Sequence, residues 1–159
     1  MNLNRELRYS GSLEDVRAML LDPAYWDRVA DATGAASSAT TVEDQGGAVV
    51  VITDEQQKVA GVPSFAKKFV GETTHAIKTA AWKGDTADFT VDTPGKPTSM
   101  SGTASLSSAG DTTTLTYDLT VKASVPLVGG KLEKLVCDLT NAGFDTEHAT
   151  GEAWLRGER

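Results

Sequence analysis

The longest amphipathic run in the chain begins after Pro126 and continues almost to the C-terminus. At about 100° per residue, Val128, Leu132, Leu135, Val136, Leu139, Gly143, Thr146, Thr150, Ala153 and Trp154 fall within one apolar-to-small arc. Lys134, Asp138, Asn141, Asp145, Glu152 and Arg156 crowd the opposite arc. A helix of up to ~30 residues would be about 45 Å long. Its stripe needs a large partner surface, and only a sheet made by the rest of the chain can supply one.

The preceding residues contain the strands for such a sheet. Leu3, Arg5, Leu7 and Tyr9 alternate with Asn4, Glu6 and Arg8, the period of a strand with one wet side. Ser12 then reads as a helix N-cap with Asp15 at the third helical position, ahead of Leu13, Val16, Met19 and Leu20 at helical spacing. Asp22-Pro23 stops that helix and starts a second short one, which ends at Thr33-Gly34. Ala35 to Val42 and Ala48 to Asp54 read as strands joined by a turn. A helical interlude carries Val62, Phe65, Ala66 and Phe69 on one side and Lys67 and Lys68 on the other. Four more strand signals follow, at Glu72 to Trp82, Ala87 to Thr93, Thr98 to Ser107 and Thr112 to Ala123. Gly- and Pro-containing turns separate them, as successive antiparallel hairpins require. In the last strand Leu115, Tyr117, Leu119, Val121 and Ala123 face inward.

Size and charge narrow the function classes. A chain of 159 residues suits one domain spanning 1–159. The net charge of −7 argues against nucleic acid, whose phosphates need clustered Lys and Arg, and against an anionic membrane surface. No segment approaches the ~20 apolar residues of a membrane span, so integral membrane association is not expected. No signal peptide is visible, and the lone Cys137 fits a reducing compartment. A cytoplasmic location is the expectation. Oligomeric state is not legible.

The order of strand, two short helices, six strands and long helix resembles the START/Bet v 1-like superfamily, which includes the polyketide cyclase (SRPBCC) proteins. Asp22-Pro23-Ala24-Tyr25-Trp26 looks like that superfamily's helix-helix junction. The segments Val62 to Gly71 and Val125 to Glu133 resemble an uncharacterised branch, domain of unknown function 2505. The resemblance covers nearly the whole chain. It implies an α+β helix-grip fold, with a curved antiparallel sheet of about seven strands around the C-terminal helix. It also implies an apolar cavity between helix and sheet for lipids, polyketides or other hydrophobic molecules. It brings no assigned catalytic or binding residue.

No HExxH, P-loop, GxSxG or CxxC motif is present, no metal-ligand cluster is evident, and no cofactor is expected. The cavity is expected to be bordered by Phe65, Phe69, Tyr117, Leu119, Leu135 and Leu139. Phe65 and Phe69, four apart, read equally as a lid with Gly61 and Gly71 at its ends or as a plug of the core's edge. His75 shares strand parity with Ile77, and an inward imidazole would serve as a ligand contact or general base; a satisfied core or rim histidine is the plainer use. His148 falls on the polar side of the helix. Arg5 shares parity with Leu3 and Leu7, where it would anchor an acidic head group or pair with an internal carboxylate. Tyr117 would present its hydroxyl to the cavity or simply pack. Small inward residues, among them Ala87, Gly102 and Ala104, either leave a void or bring helix and sheet close together. Three functions remain open: a carrier of a hydrophobic small molecule, a cyclase- or hydratase-like enzyme acting on a hydrophobic carbonyl compound, and an interaction module with a filled core.

Overall fold

The computed structural model describes residues 1–159. Strand β1 (Asn2–Ser10) leads into helices α1 (Leu13–Leu20) and α2 (Pro23–Thr33), then β2 (Ser37–Gln45) and β3 (Ala48–Lys58). Helix α3 (Ser64–Val70) precedes β4 (Thr73–Lys83), β5 (Thr86–Asp92), β6 (Thr98–Ala109) and β7 (Thr112–Ala123), and α4 (Gly129–Leu155) closes the chain. The seven strands form one antiparallel sheet in the order β1-β7-β6-β5-β4-β3-β2. Its two edges, β1 and β2, are therefore joined in sequence through α1 and α2. This is the α+β helix-grip arrangement expected from the order of elements.

Local chemistry sets the helix ends. Ser12 Oγ accepts the Asp15 N–H at 3.1 Å, and the Asp22 carboxylate accepts the Ala24 N–H at 2.9 Å with Pro23 in the first turn. Each satisfies an amide that the first helical turn leaves open. On β6, Gly102 sits between Phe89 and Leu119 in register, with φ 158°. A Cβ there would lie 2.0 Å from the Asp118 carbonyl oxygen, so only glycine lets β6 and β7 approach this closely.

The inner face carries the core. Leu3, Leu7 and Tyr9 of β1 and Leu115, Tyr117, Leu119 and Val121 of β7 are buried on the expected parity. Ala87 and Ala104 are buried beside them, and Trp82 closes the row from β4. Helix α4 rests on β1 and β7, with α2 packed along its flank.

Two sequence expectations change. The buried side of α4 runs through Leu132, Cys137, Phe144, Glu147, Gly151 and Trp154, with Val136 half-buried, in steps that keep one helical face. Leu139, expected to be inward, is 45% exposed. Leu135 is half-buried and packs with α3 near Val62, Ala66, Val70 and Leu132. The expected arc omitted Phe144, which lies beside Asp145 and near Glu147, whereas the core takes the aromatic ring and turns Leu139 out. His75 also lies on the outer face, 2.7 Å from the Asp54 carboxylate through its Nε2. Ala76, Lys78, Ala80 and Trp82 are the inward residues of β4. Both parities of that strand carry apolar side chains, so alternation alone misassigns the face.

Truncating a buried aromatic ring costs about 3–5 kcal/mol, whereas surface changes stay within about 0.5 kcal/mol. Phe144→Ala should therefore shift the urea midpoint strongly and Leu139→Ala hardly at all. The reverse ranking would restore the other helix phase.

Candidate functional site

A buried carboxyl organises the interior. Glu147 projects from the inner face of α4 and is 7% exposed. The Tyr117 hydroxyl on β7 donates to Glu147 Oε2 at 3.0 Å, and the Tyr25 hydroxyl on α2 donates to the Glu147 main-chain carbonyl at 3.1 Å. One residue of α4 is thus tied to the sheet and to α2 together. Phe144, one turn earlier, stacks on the Tyr117 ring with centroids 4.4 Å apart, and Phe89 of β5 meets that ring edge-on at 5.3 Å. Gly151, one turn later, provides room for Tyr9 and Tyr25. A Cβ at Gly151 would fall 2.5 Å from Tyr9 Cε1 and 3.1 Å from the Tyr25 hydroxyl. The Tyr9 hydroxyl is itself buried without a hydrogen-bond partner.

The electrostatics follow from this enclosure. Burial, opposed by Lys78 and by the Tyr117 hydrogen bond and reinforced by Glu55, pushes the Glu147 carboxyl up from 4.5 to about 7. Burial and then the charge of Glu147 push the Tyr117 and Tyr9 phenols well above their usual value. They are hydrogen-bond donors, not phenolates, at neutral pH. The sheet supplies a second charged pair, with Lys78 Nζ of β4 lying 2.7 Å from Glu55 Oε1 of β3. Glu55 is 3% exposed and Lys78 40%. Their charges act on the Glu147 carboxyl in opposite directions, Lys78 favouring its ionised form and Glu55 its neutral form.

The sequence candidates separate around this cluster. Tyr117 belongs to it and gives its hydroxyl to Glu147. Leu119 is buried one inward position further along β7. Arg5 is inward-facing but paired, since it meets the Asp145 carboxylate and donates to Asn141 Oδ1 at 3.2 Å. Phe65, Phe69 and Leu135 form a separate group at the N-terminal end of α4. His75 and Leu139 stand outside the interior, and His148 hydrogen-bonds the Arg8 carbonyl at 2.7 Å. Several clefts open at the surface, two of them of similar volume. One of about 330 Å³ lies under the Arg17–Asp85 ion pair, lined by Leu20, Leu21, Val49, Trp82 and Leu106. The other, about 380 Å³, runs along Arg5 to Arg8 beside His148. Apart from Arg5, neither is lined by the expected site residues.

Glu147, Tyr9, Tyr25, Phe144, Glu55 and Lys78 were not legible as a site. Glu147 does carry a signal, because it keeps helical phase with Leu132, Val136, Phe144 and Trp154. A carboxylate in an otherwise inward stripe marks a buried acid that needs partners.

The Glu147 carboxyl holds its proton better in the folded than in the unfolded chain. Its contribution to stability is complete below about pH 4.5 and is lost as pH rises through about 7. Compared with Glu147→Gln, the wild-type chain should lose about 3 kcal/mol of unfolding free energy across that interval. Urea denaturation of both proteins from pH 4.5 to 8 measures the difference. A flat difference curve would mean the carboxyl is not perturbed.

No functionally curated protein matches the chain in sequence. Among solved structures, TTHA0849 from Thermus thermophilus superposes with a TM-score of 0.69 at 15% identity, covering 99% of this chain and 98% of that one. The di-domain ARO/CYC StfQ from the steffimycin biosynthetic pathway gives 0.69 at 12% identity, over 98% of this chain and 50% of the di-domain. The STAR-related lipid transfer protein from Xanthomonas axonopodis gives 0.55 at 18% identity, with 96% and 84% covered. Identities this low establish a shared fold. The family described as Protein of unknown function (DUF2505) matches residues 4–155, and the chain belongs to that family.

Proposed function

We propose that the protein binds a hydrophobic small molecule, a lipid, polyketide or similar compound, between the concave sheet and α4. The Glu147–Tyr117 pair supplies the polar contact. The observation that carries this reading is the uneven cover of the sheet. Helix α4 rests on β1 and β7, while inward residues of β4 and β5, namely Lys78, Ala80, Phe89 and Val91, remain half-exposed. An apolar wall with a few convergent polar groups is the usual construction of a small-molecule site. Phe65 and Phe69, half-buried on α3, would serve as the lid over its end. The names of two fold neighbours, a lipid transfer protein and an ARO/CYC di-domain, are in keeping with it. No helix is long and apolar enough to cross a membrane.

Glu147 also favours a second reading, in which the protein transforms its ligand. A buried acid whose pKa lies near 7 is matched to proton transfer at neutral pH. Enzyme action on a hydrophobic carbonyl compound would use this carboxyl as acid or base. His75 on the outer face and the paired Arg5 are not placed for those roles.

The neutral fluorophore N-phenyl-1-naphthylamine should bind the native protein saturably, at about one per chain. Ala80→Trp, which fills the middle of the concave face, should weaken binding by about tenfold, roughly 1.4 kcal/mol, while unfolding stays cooperative. Phe65→Asp with Phe69→Asp should weaken it more than it lowers thermal stability. Absence of saturable binding to the wild type would remove the carrier reading.

A further inference from the structure

The wall formed by β2, β3 and β4 is polar where the rest of the concave face is apolar. Ser38 pairs across strands with Glu55, and Thr40 with Thr53, so all four side chains share the inner face. Most polar groups here are satisfied. The Thr40 and Thr53 hydroxyls hydrogen-bond each other at 3.0 Å, and Gln57 reaches the Thr33 hydroxyl at 3.5 Å. Two atoms are not. Ser38 Oγ is buried with no partner. Glu55 Oε1 is also buried and lacks a well-directed hydrogen bond, although Lys78 Nζ lies 2.7 Å away. That contact is electrostatic attraction with poor hydrogen-bond direction. A buried polar atom without a partner is costly, so native structures rarely tolerate one without a reason, let alone two on facing strands.

We infer that Ser38, Glu55 and Lys78 form a second polar subsite, which takes an uncharged hydroxyl group of the bound molecule. This rests on the proposed binding interior and adds the chemistry of one end of the ligand. A hydroxyl donates to Glu55 Oε1 while its oxygen accepts from the Ser38 hydroxyl, with Lys78 balancing the Glu55 charge. The two buried atoms then gain the partners they lack. Charge selects against the alternatives. The Glu55–Lys78 pair is neutral as a unit, so a cationic head group competes with Lys78 and an anionic one is brought against Glu55. The ligand class is therefore a hydrophobic molecule with two separated neutral hydrogen-bonding groups, one at Glu147–Tyr117 and one at Ser38–Glu55–Lys78.

Displacement of N-phenyl-1-naphthylamine from the full chain tests this, using 1-alkanols and the matched α,ω-alkanediols of about 8 to 14 carbons. The best diol should displace the fluorophore about fivefold more tightly than its alkanol, the effect of one or two net hydrogen bonds. Ser38→Ala, which breaks no hydrogen bond within the protein, should bring the two within about twofold. It should leave the unfolding midpoint unchanged. Equal displacement by alkanols and diols in the wild type would mean that the nook holds a structural water only, and would overturn the subsite while the binding interior stands. Displacement by neither class would overturn it as well. Failure of the fluorophore to bind at all would remove the binding interior and the subsite together.

Discussion

The Glu147 carboxyl and carbonyl, held by Tyr117 and Tyr25, form the contact on which the interior depends. A helix of 27 residues is long enough to lie across a sheet in several ways. A buried acid changes that, because it must find donors or leave an uncompensated polar group in a low-dielectric site. Tyr117 comes from the strand beneath α4 and Tyr25 from the helix beside it, so satisfying both sets rotation and position together. The Phe144 ring on Tyr117 and the Gly151 notch under Tyr9 then follow one turn to either side. Burial of apolar surface supplies most of the driving force for such packing, and the acid selects one arrangement from those it would allow.

That arrangement leaves the sheet unevenly covered. Helix α4 sits over β1 and β7, α2 covers the opposite edge at β2, and the middle of the concave face is made of Ala, Gly and Phe side chains. Gly102 brings β6 and β7 close together. The charged groups on the inner side come from three elements: Glu147 from α4, Glu55 from β3 and Lys78 from β4. Burial raises the Glu147 carboxyl to about 7 against the opposing charge of Lys78 and the Tyr117 hydrogen bond, with Glu55 adding to the rise, so the group is poised between its neutral and charged forms near neutrality.

Much of the fold was legible from the residues. The alternation in β1 and β7, the caps at Ser12 and Asp22 and the presence of the long C-terminal helix each depend on local chemistry, and each is found where the pattern put it, although the buried face of that helix is not. The site was harder to read. Helical periodicity weighs every charged residue as solvent-facing, so Glu147 and its neighbour Phe144 were counted out and Leu139 was counted in. Strand β4 has apolar residues on both faces, and His75 was assigned to the wrong one. Glu55 lies in a stretch that looks hydrophilic and Lys78 in one that is largely apolar, and a residue's neighbours along the chain say little about its neighbours across the sheet. Arg5 kept its predicted direction, and its partner proved to be the helix. In each case the missing information was a contact between distant segments.

The carboxyl ¹³C chemical shift of Glu147, titrated by NMR and assigned by its loss in Glu147→Gln, tests the central claim most directly. The account predicts a midpoint near pH 7. A midpoint near the ordinary glutamate value of about 4.3 would show the carboxyl to be solvated, and would contradict the enclosed acid from which the rest is derived.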